Sequence, residues 1–417
     1  MRHLSFITIL ALFALGKLIA QSYSGTIYFG ESTIDYQVKL VEGDNQTKAF
    51  FTSINMNAYE IPCQNTSLKE DTLMFYVISD YYTYEYQYFN QKDKFVGNLK
   101  VYSNETEQLL NTFATSLNRN DIDQEIGIEK TDYTFESNGL QLSGTLWKPR
   151  EAIQKGLFFV TSSQGNDRSG SNAEAYYFAN LGYTVFNYDK RGTGKSEGDW
   201  QSATMEELCA DDINALEFFS NISALPLSEI GVKGSSQGGI KIPYILSKLP
   251  DLGFGISISC PGGTLLESDL NHWKNLNINQ IGRKNSKRAL RMQEAGYNYL
   301  AGNIPYESLE QLKKENRRED WLKYVWIPER DVPKDDRLNF SGLPYFKEIT
   351  QPVLVIHGLS DEVIPAKSHK TIKRAIRKSK STRYLCVTLE NTSHSMTWLN
   401  NDFPYFQILS PEYLPLV

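Results

Sequence analysis

The sequence predicts an α/β protein: a mostly parallel sheet with helices on both faces, interrupted by a helical insertion and preceded by a small all-β domain. Three observations predict it. From Gly156 onward, short apolar runs alternate with helix-like patterns, as a parallel sheet with crossover helices requires. One run, Ile230-Gly231-Val232-Lys233, leads into Gly234-Ser235-Ser236-Gln237-Gly238, and a helical pattern starts at once with Ile240, Ile242, Ile245 and Leu246. Before Ile122 there are only short, often alternating runs punctuated by Gly, Asn and Asp.

The 417 residues suffice for one large domain and a smaller one. The formal net charge of −6, from 43 basic and 49 acidic side chains, argues against a nucleic-acid partner, whose binders carry a basic surface. The four cysteines have no paired spacing, so a disulfide framework is not expected. The five histidines are scattered and none stands at metal-ligand spacing, so no metal is expected, and the serine chemistry read below calls for no cofactor.

Residues 1–20 read as a signal peptide. Arg2 and His3 precede an apolar run, and Leu18-Ile19-Ala20 offers a cleavage edge before Gln21. A secreted or periplasmic location follows, without stable membrane insertion. Residues 21–122 read as the all-β domain, a small sandwich or curved sheet. Its tyrosine stripe, Tyr81-Tyr82-x-Tyr84-x-Tyr86-x-Tyr88, reads as packing on a pleated surface, with a carbohydrate- or partner-binding face as the alternative. Residues 123–130 read as a linker and 131–417 as the α/β domain.

That domain opens with a hairpin turning at Asn138-Gly139. Strands follow at 156–161, 183–188, 230–233 and 254–259, with helices near 173–181, 204–220 and 240–249. The alternation breaks at Gly262. Residues 262–344 read as a helical insertion, with helices at 265–281, 287–301 and 306–317 and a weaker one at 320–325; eighty residues exceed a plain loop. The pattern resumes with Pro352-Val353-Leu354-Val355-Ile356-His357, a helix over 367–378 and a strand over 383–389.

The form Gly234-x-Ser236-x-Gly238 between strand and helix marks a serine held clear of its backbone at a sharp turn. Ser235 is the competing serine. Asp361, in Gly358-Leu359-Ser360-Asp361-Glu362-Val363-Ile364-Pro365, lies just past a buried strand, where catalytic groups gather in open sheets. Glu362 is the second choice, and a helix cap near Pro365 is the structural alternative for Asp361. His394 follows the last strand, with His357 as its rival. An imidazole makes a serine hydroxyl nucleophilic, and a carboxylate fixes the imidazole's tautomer.

On these residues the domain resembles the α/β-hydrolase superfamily, whose chain order is nucleophile, acid, histidine. The resemblance implies an eight-stranded, mostly parallel sheet with the insertion as a cap over the site. Thr161-Ser162-Ser163-Gln164-Gly165-Asn166-Asp167-Arg168 is similar to the oxyanion loop of secreted esterases and dienelactone-hydrolase-like enzymes. It implies oxyanion donors from the backbone of Ser163 or Gln164, with Gln237. Asp189-Lys190-Arg191-Gly192-Thr193-Gly194-Lys195-Ser196 is similar to a loop of lysophospholipase-like and aminopeptidase-like members and reads as a structural, charged turn. Trp273, Tyr297, Tyr299, Trp321 and Trp326 are expected mostly in the cap core, with a pocket lining as the alternative.

The expected activity is therefore hydrolysis of carboxylic esters through an acyl-enzyme, by Ser236, Asp361 and His394. An aminopeptidase or acyltransferase with the same triad is the alternative, with Glu267, Asp269 or Glu294 available to meet a peptide N-terminus. A binding module on an inactive hydrolase scaffold is the non-enzymatic alternative.

Overall fold

The computed structural model describes residues 20–43, 46–92, 94–120, 127–381 and 383–417. The signal-peptide expectation at 1–20 therefore lies, but for Ala20, outside the described residues. Ala20 itself opens a strand. The described residues fall into two units, those of 20–53 with 60–120 and those of 54–59 with 127–417.

The first unit is built on antiparallel strands β1 (Ala20–Phe29), β2 (Ser32–Glu42), β3 (Thr47–Ser53), β4 (Ala58–Pro62), β5 (Gln64–Lys69), β6 (Thr72–Ile78), β7 (Tyr82–Gln91), β8 (Lys94–Ser103) and β9 (Leu109–Arg119). They form one nine-stranded sheet in the order β4-β3-β2-β1-β9-β8-β7-β6-β5. Period-two patterning sets the faces: in β2, Ile34, Tyr36, Val38 and Leu40 point to one side and are buried. From the tyrosine stripe, Tyr86 and Tyr88 enter this core, stacking with Phe75. Tyr36 and Tyr88 share a hydroxyl hydrogen bond, and Thr115 lies 2.6 Å from Tyr36 Oη, so the buried phenols are satisfied. Tyr81 is exposed.

The second unit has an eight-stranded mixed sheet of β10 (Ile128–Ser137), β11 (Leu140–Pro149), β12 (Gly156–Phe159), β13 (Thr184–Tyr188), β14 (Ile230–Ser235), β15 (Phe254–Ile258), β16 (Val353–Gly358) and β17 (Tyr384–Leu389). The order is β10-β11-β13-β12-β14-β15-β16-β17. β10 and β11 pair antiparallel, β11 meets β13 antiparallel, and the six strands from β13 to β17 run parallel. Ile128–Lys130, read as the end of a linker, instead begin β10, because they pair with Trp147–Pro149 of the hairpin.

Helices α1 (Asn172–Asn180), α2 (Met205–Ser223), α3 (Gln237–Lys248), α4 (Leu265–Ile281), α5 (Ser286–Leu300), α6 (Tyr306–Asn316), α7 (Leu343–Phe346), α8 (Ser368–Ile376) and α9 (Tyr413–Leu416) complete the unit. Successive residues of the central strands feed opposite layers: Phe158, Val232 and Val355 enter one buried cluster, and Leu157, Phe159 and Ile356 the other. That is why these strands are almost continuously apolar. The insertion, α4 to α6 and a 3₁₀ turn at Asp320–Tyr324, has its own core of Trp273, Met292, Tyr299, Leu309 and Trp321.

Candidate active site

Ser236 is at the turn between β14 and α3. Its φ of 55° and ψ of −120° lie where side chains other than glycine are strained. The flanking glycines make the turn possible. A Cβ on Gly234 would stand 2.5 Å from the Gly238 carbonyl, and one on Gly238 would press Val160 O at 3.0 Å. Ser235, the competing serine, ends β14 and accepts a hydrogen bond at its carbonyl from Ser162 Oγ. Gln237 opens α3, so its amide is one of those a helix leaves without an internal acceptor.

Asp361 follows β16 and His394 follows β17. His394 Nδ1 donates to Asp361 Oδ2 at 2.9 Å. Asp361 Oδ1 accepts the amides of Val363 and Ile364, each at 2.8 Å. These amides belong to a local turn; α8 starts only at Ser368, so the carboxylate caps no helix. Glu362, the second choice, reaches only the His394 amide at 3.4 Å. His357 is buried, its Nε2 2.8 Å from Cys260 O, and burial lowers its pKa; it shapes the strand end and does not face the cavity.

Ser236, His394, Ser163, Gln164 and Gln237 line one cavity of about 590 Å³. No hydrogen bond joins Ser236 Oγ to the imidazole here; before substrate binds, such contacts are often long. Serine, acid, histidine and the Ser163 loop all follow the carboxyl ends of parallel strands, which brings together groups up to 231 residues apart in the chain (163 to 394).

The Ser163 loop is tied down by charged groups, of which Asp212 and Lys241 stand outside the motifs quoted above. Asp212 and Lys241 form a fully buried ion pair at 2.5 Å. Asp212 also accepts from the Thr161 amide and hydroxyl, both at 3.1 Å, and from Tyr188 Oη at 2.7 Å. Lys190 donates to the carbonyls of Ser162, at 2.9 Å, and Gln164. The Asp189–Ser196 turn is braced by Arg168 on Asp189 at 2.6 Å, and Arg191 on Asp211 at 2.6 Å. Such pairs leave no periodic trace in the sequence, since the partners lie 20 to 29 residues apart on different elements.

The cap wall is not aromatic in the way considered above. Trp273, Tyr299 and Trp321 are consumed by the cap core and Tyr297 packs beside it, while Trp326 is partly exposed elsewhere. Leu265, Asp269, His272, Asp335 and Arg337 face the cavity instead, with Trp200 and, from the 54–59 segment, Asn57. Glu267 is spent in a capping box with Thr264, and Glu294 is not in the wall. Asp269 is in the wall. Its carboxylate makes no hydrogen bond or ion pair among the described residues, and burial, then the charge of Asp335, push it up to about 6. Asp335 itself is gripped at both oxygens by Arg337, at 2.6 Å each. Two asparagines one turn apart on α4 hold the cap to the acid loop: Asn271 donates to Val363 O at 2.9 Å and Asn275 to Glu362 O at 2.8 Å.

A profile of the X-Pro dipeptidyl-peptidase (S15) family matches residues 101–396, well over half of the chain. A comparison with curated protein sequences finds no match. Among solved structures, the chain is similar to an esterase of Pyrococcus furiosus, with 16% identity over 66% of this chain and 86% of that one and a TM-score of 0.42. It is also similar to an acylaminoacyl peptidase of Pyrococcus horikoshii, with 13% identity over 89% of this chain and 66% of that one and a TM-score of 0.44. A protein of Butyrivibrio proteoclasticus solved with ferulic acid bound matches at 15% identity over 63% of this chain and 90% of that one, with a TM-score of 0.41.

Proposed function

The chain belongs to the X-Pro dipeptidyl-peptidase (S15) family of α/β hydrolases, and from that premise we propose that it cleaves carboxylic esters through an acyl-enzyme on Ser236. The observation that carries this reading is the His394–Asp361 hydrogen bond at 2.9 Å beside a serine on a strained strand-to-helix turn. Ser236 Oγ attacks the acyl carbon as His394 takes its proton. The Ser163 and Gln237 amides, with Gln164 beside them, receive the oxyanion. His394 then protonates the departing alcohol, and water attacks the acyl-enzyme by the same route. Asp361 holds the imidazole with Nε2 free to accept. Esters come first because an alkoxide is a far better leaving group than an amide nitrogen and its release needs no further anchor in the wall. No cofactor takes part.

Asp269 favours a second reading, an aminopeptidase: a carboxylate without a partner in the cavity wall suits the α-ammonium of a peptide. A secreted or periplasmic location is part of the proposal and rests on residues 1–20; N-terminal sequencing of the mature protein checks it. The substrate test is to compare kcat/KM on p-nitrophenyl esters of rising acyl length with that on aminoacyl and X-Pro p-nitroanilides. Turnover of esters alone supports the first reading. Turnover of anilides with a free amine, lost on N-acetylation, replaces it with the second.

A further inference from the structure

Lys190 is 2% exposed, yet its acceptors are two backbone carbonyls, those of Ser162 and Gln164, and not a carboxylate. Its ammonium also lies 4.3 Å from the centre of the Trp200 ring, a wall of the cavity. Burial, then the charges of Lys241 and Arg337, lower it to about 8. Holding a cation in such a place is costly, and surface bracing of a turn does not require it.

The two carbonyls it grips flank the residue expected to stabilise the oxyanion. In a trans peptide the C=O and the following N–H point in opposite directions, and the described chain contains no cis peptide. Fixing the Ser162 carbonyl on Lys190 therefore turns the Ser163 N–H away from Lys190. Among the described residues the Ser163 amide has no acceptor, and Ser163 lines the cavity with Ser236. The side chain of Ser162 holds the same peptide from the other end, through Ser235 O at 2.9 Å. Gln164, with φ of 63°, is the bend that lets both carbonyls reach one ammonium.

We propose that Lys190 is a positioning residue of the oxyanion hole, aiming the Ser163 amide at the developing oxyanion by holding the Ser162 and Gln164 carbonyls. This rests on the reading of Ser236 as nucleophile. It assigns to the Asp189–Ser196 turn a part in transition-state binding beyond its bracing of strands.

The test uses the full chain, p-nitrophenyl acetate and a trifluoromethyl ketone, whose adduct with the serine places an oxyanion in the hole. Lys190→Met is expected to lower kcat about 10- to 100-fold with KM within about twofold, less than the loss of a whole donor. Ketone affinity is expected to fall in parallel with kcat, and Lys190→Arg to recover part of both. Ser163→Pro removes the amide itself, so Lys190→Met added to it is expected to cost little more. If Lys190→Met does not fold, Lys190→Gln carries the same comparison. A folded Lys190 variant with unchanged kcat and ketone affinity overturns the inference, as does a full additional loss on top of Ser163→Pro. A wild type that neither hydrolyses the ester nor takes up a fluorophosphonate overturns the reading of Ser236, and this inference with it.

Discussion

Asp361 divides its carboxylate between two tasks: Oδ2 accepts from His394 Nδ1 at 2.9 Å, and Oδ1 is pinned by the amides of Val363 and Ile364. The pinned oxygen fixes the carboxylate, and the carboxylate fixes the imidazole. Asp361→Asn keeps the shape but presents an amide, which favours the wrong imidazole tautomer. Steady-state kinetics should show kcat down by about 10⁴-fold with KM little changed. A loss under tenfold would point to Glu362 as the acid.

The acid and histidine loops touch at Gly358. A Cβ there would stand 2.2 Å from Thr392 O and 2.6 Å from Ser393 O, both backbone. Gly358→Ala must push the histidine loop away. A displacement of about 1 Å at a catalytic group can cost 10²-fold, and that is the loss expected in kcat. A variant with wild-type kcat would mean the loops yield without moving His394.

Beneath the Ser163 loop, Asp212 satisfies four donors, from Lys241, Tyr188 and Thr161. Asp212→Ala leaves a buried ammonium without its partner, a change worth about 3–5 kcal/mol. Urea denaturation should register that loss. A change below 1 kcal/mol would show that Lys241 finds another acceptor or loses its charge at small cost.

Asp269 carries a pH signature. Its pKa is raised from 3.8 to about 6, so the folded state retains a proton that the unfolded chain releases between those values. Folding therefore binds a proton in that window, and the contribution of Asp269 to stability falls as pH rises through it. Asp269→Asn should raise the melting temperature at pH 7 and leave it nearly unchanged at pH 3. On amine-bearing substrates the same variant should raise KM at pH 7 and have little effect at pH 5, where the wild-type carboxyl is mostly protonated. Equal shifts in melting temperature at both pH values would contradict the assignment.

Much of the candidate site was legible because it is encoded locally. Gly234 and Gly238 announce the turn at Ser236, since both are needed where strand and helix cross. Asp361 and His394 are legible by place, each just past an apolar run. The cap helices at 265–281 and 306–317 emerge within a residue or so of expectation, because their apolar residues recur at helical spacing. What stayed hidden depends on contacts between distant segments. Nothing in the spacing of Lys190, Asp212 or Lys241 says that they are buried, because a buried charge is identified only by the partner that compensates it. The cap aromatics go mostly to the cap core as expected, but Trp326 does not: packing in the cap interior and standing at its surface call for the same residue types. Lys130 looked like linker because its polarity outweighs strand pairing that only the hairpin partner Trp147 reveals.

The most direct test of the central claim is to label the protein with a fluorophosphonate and map the modified peptide. The expected results are stoichiometric modification of Ser236, loss of ester hydrolysis in step with labelling, and neither labelling nor hydrolysis in Ser236→Ala. Modification of Ser235 or another serine, or undiminished hydrolysis by Ser236→Ala, would contradict it.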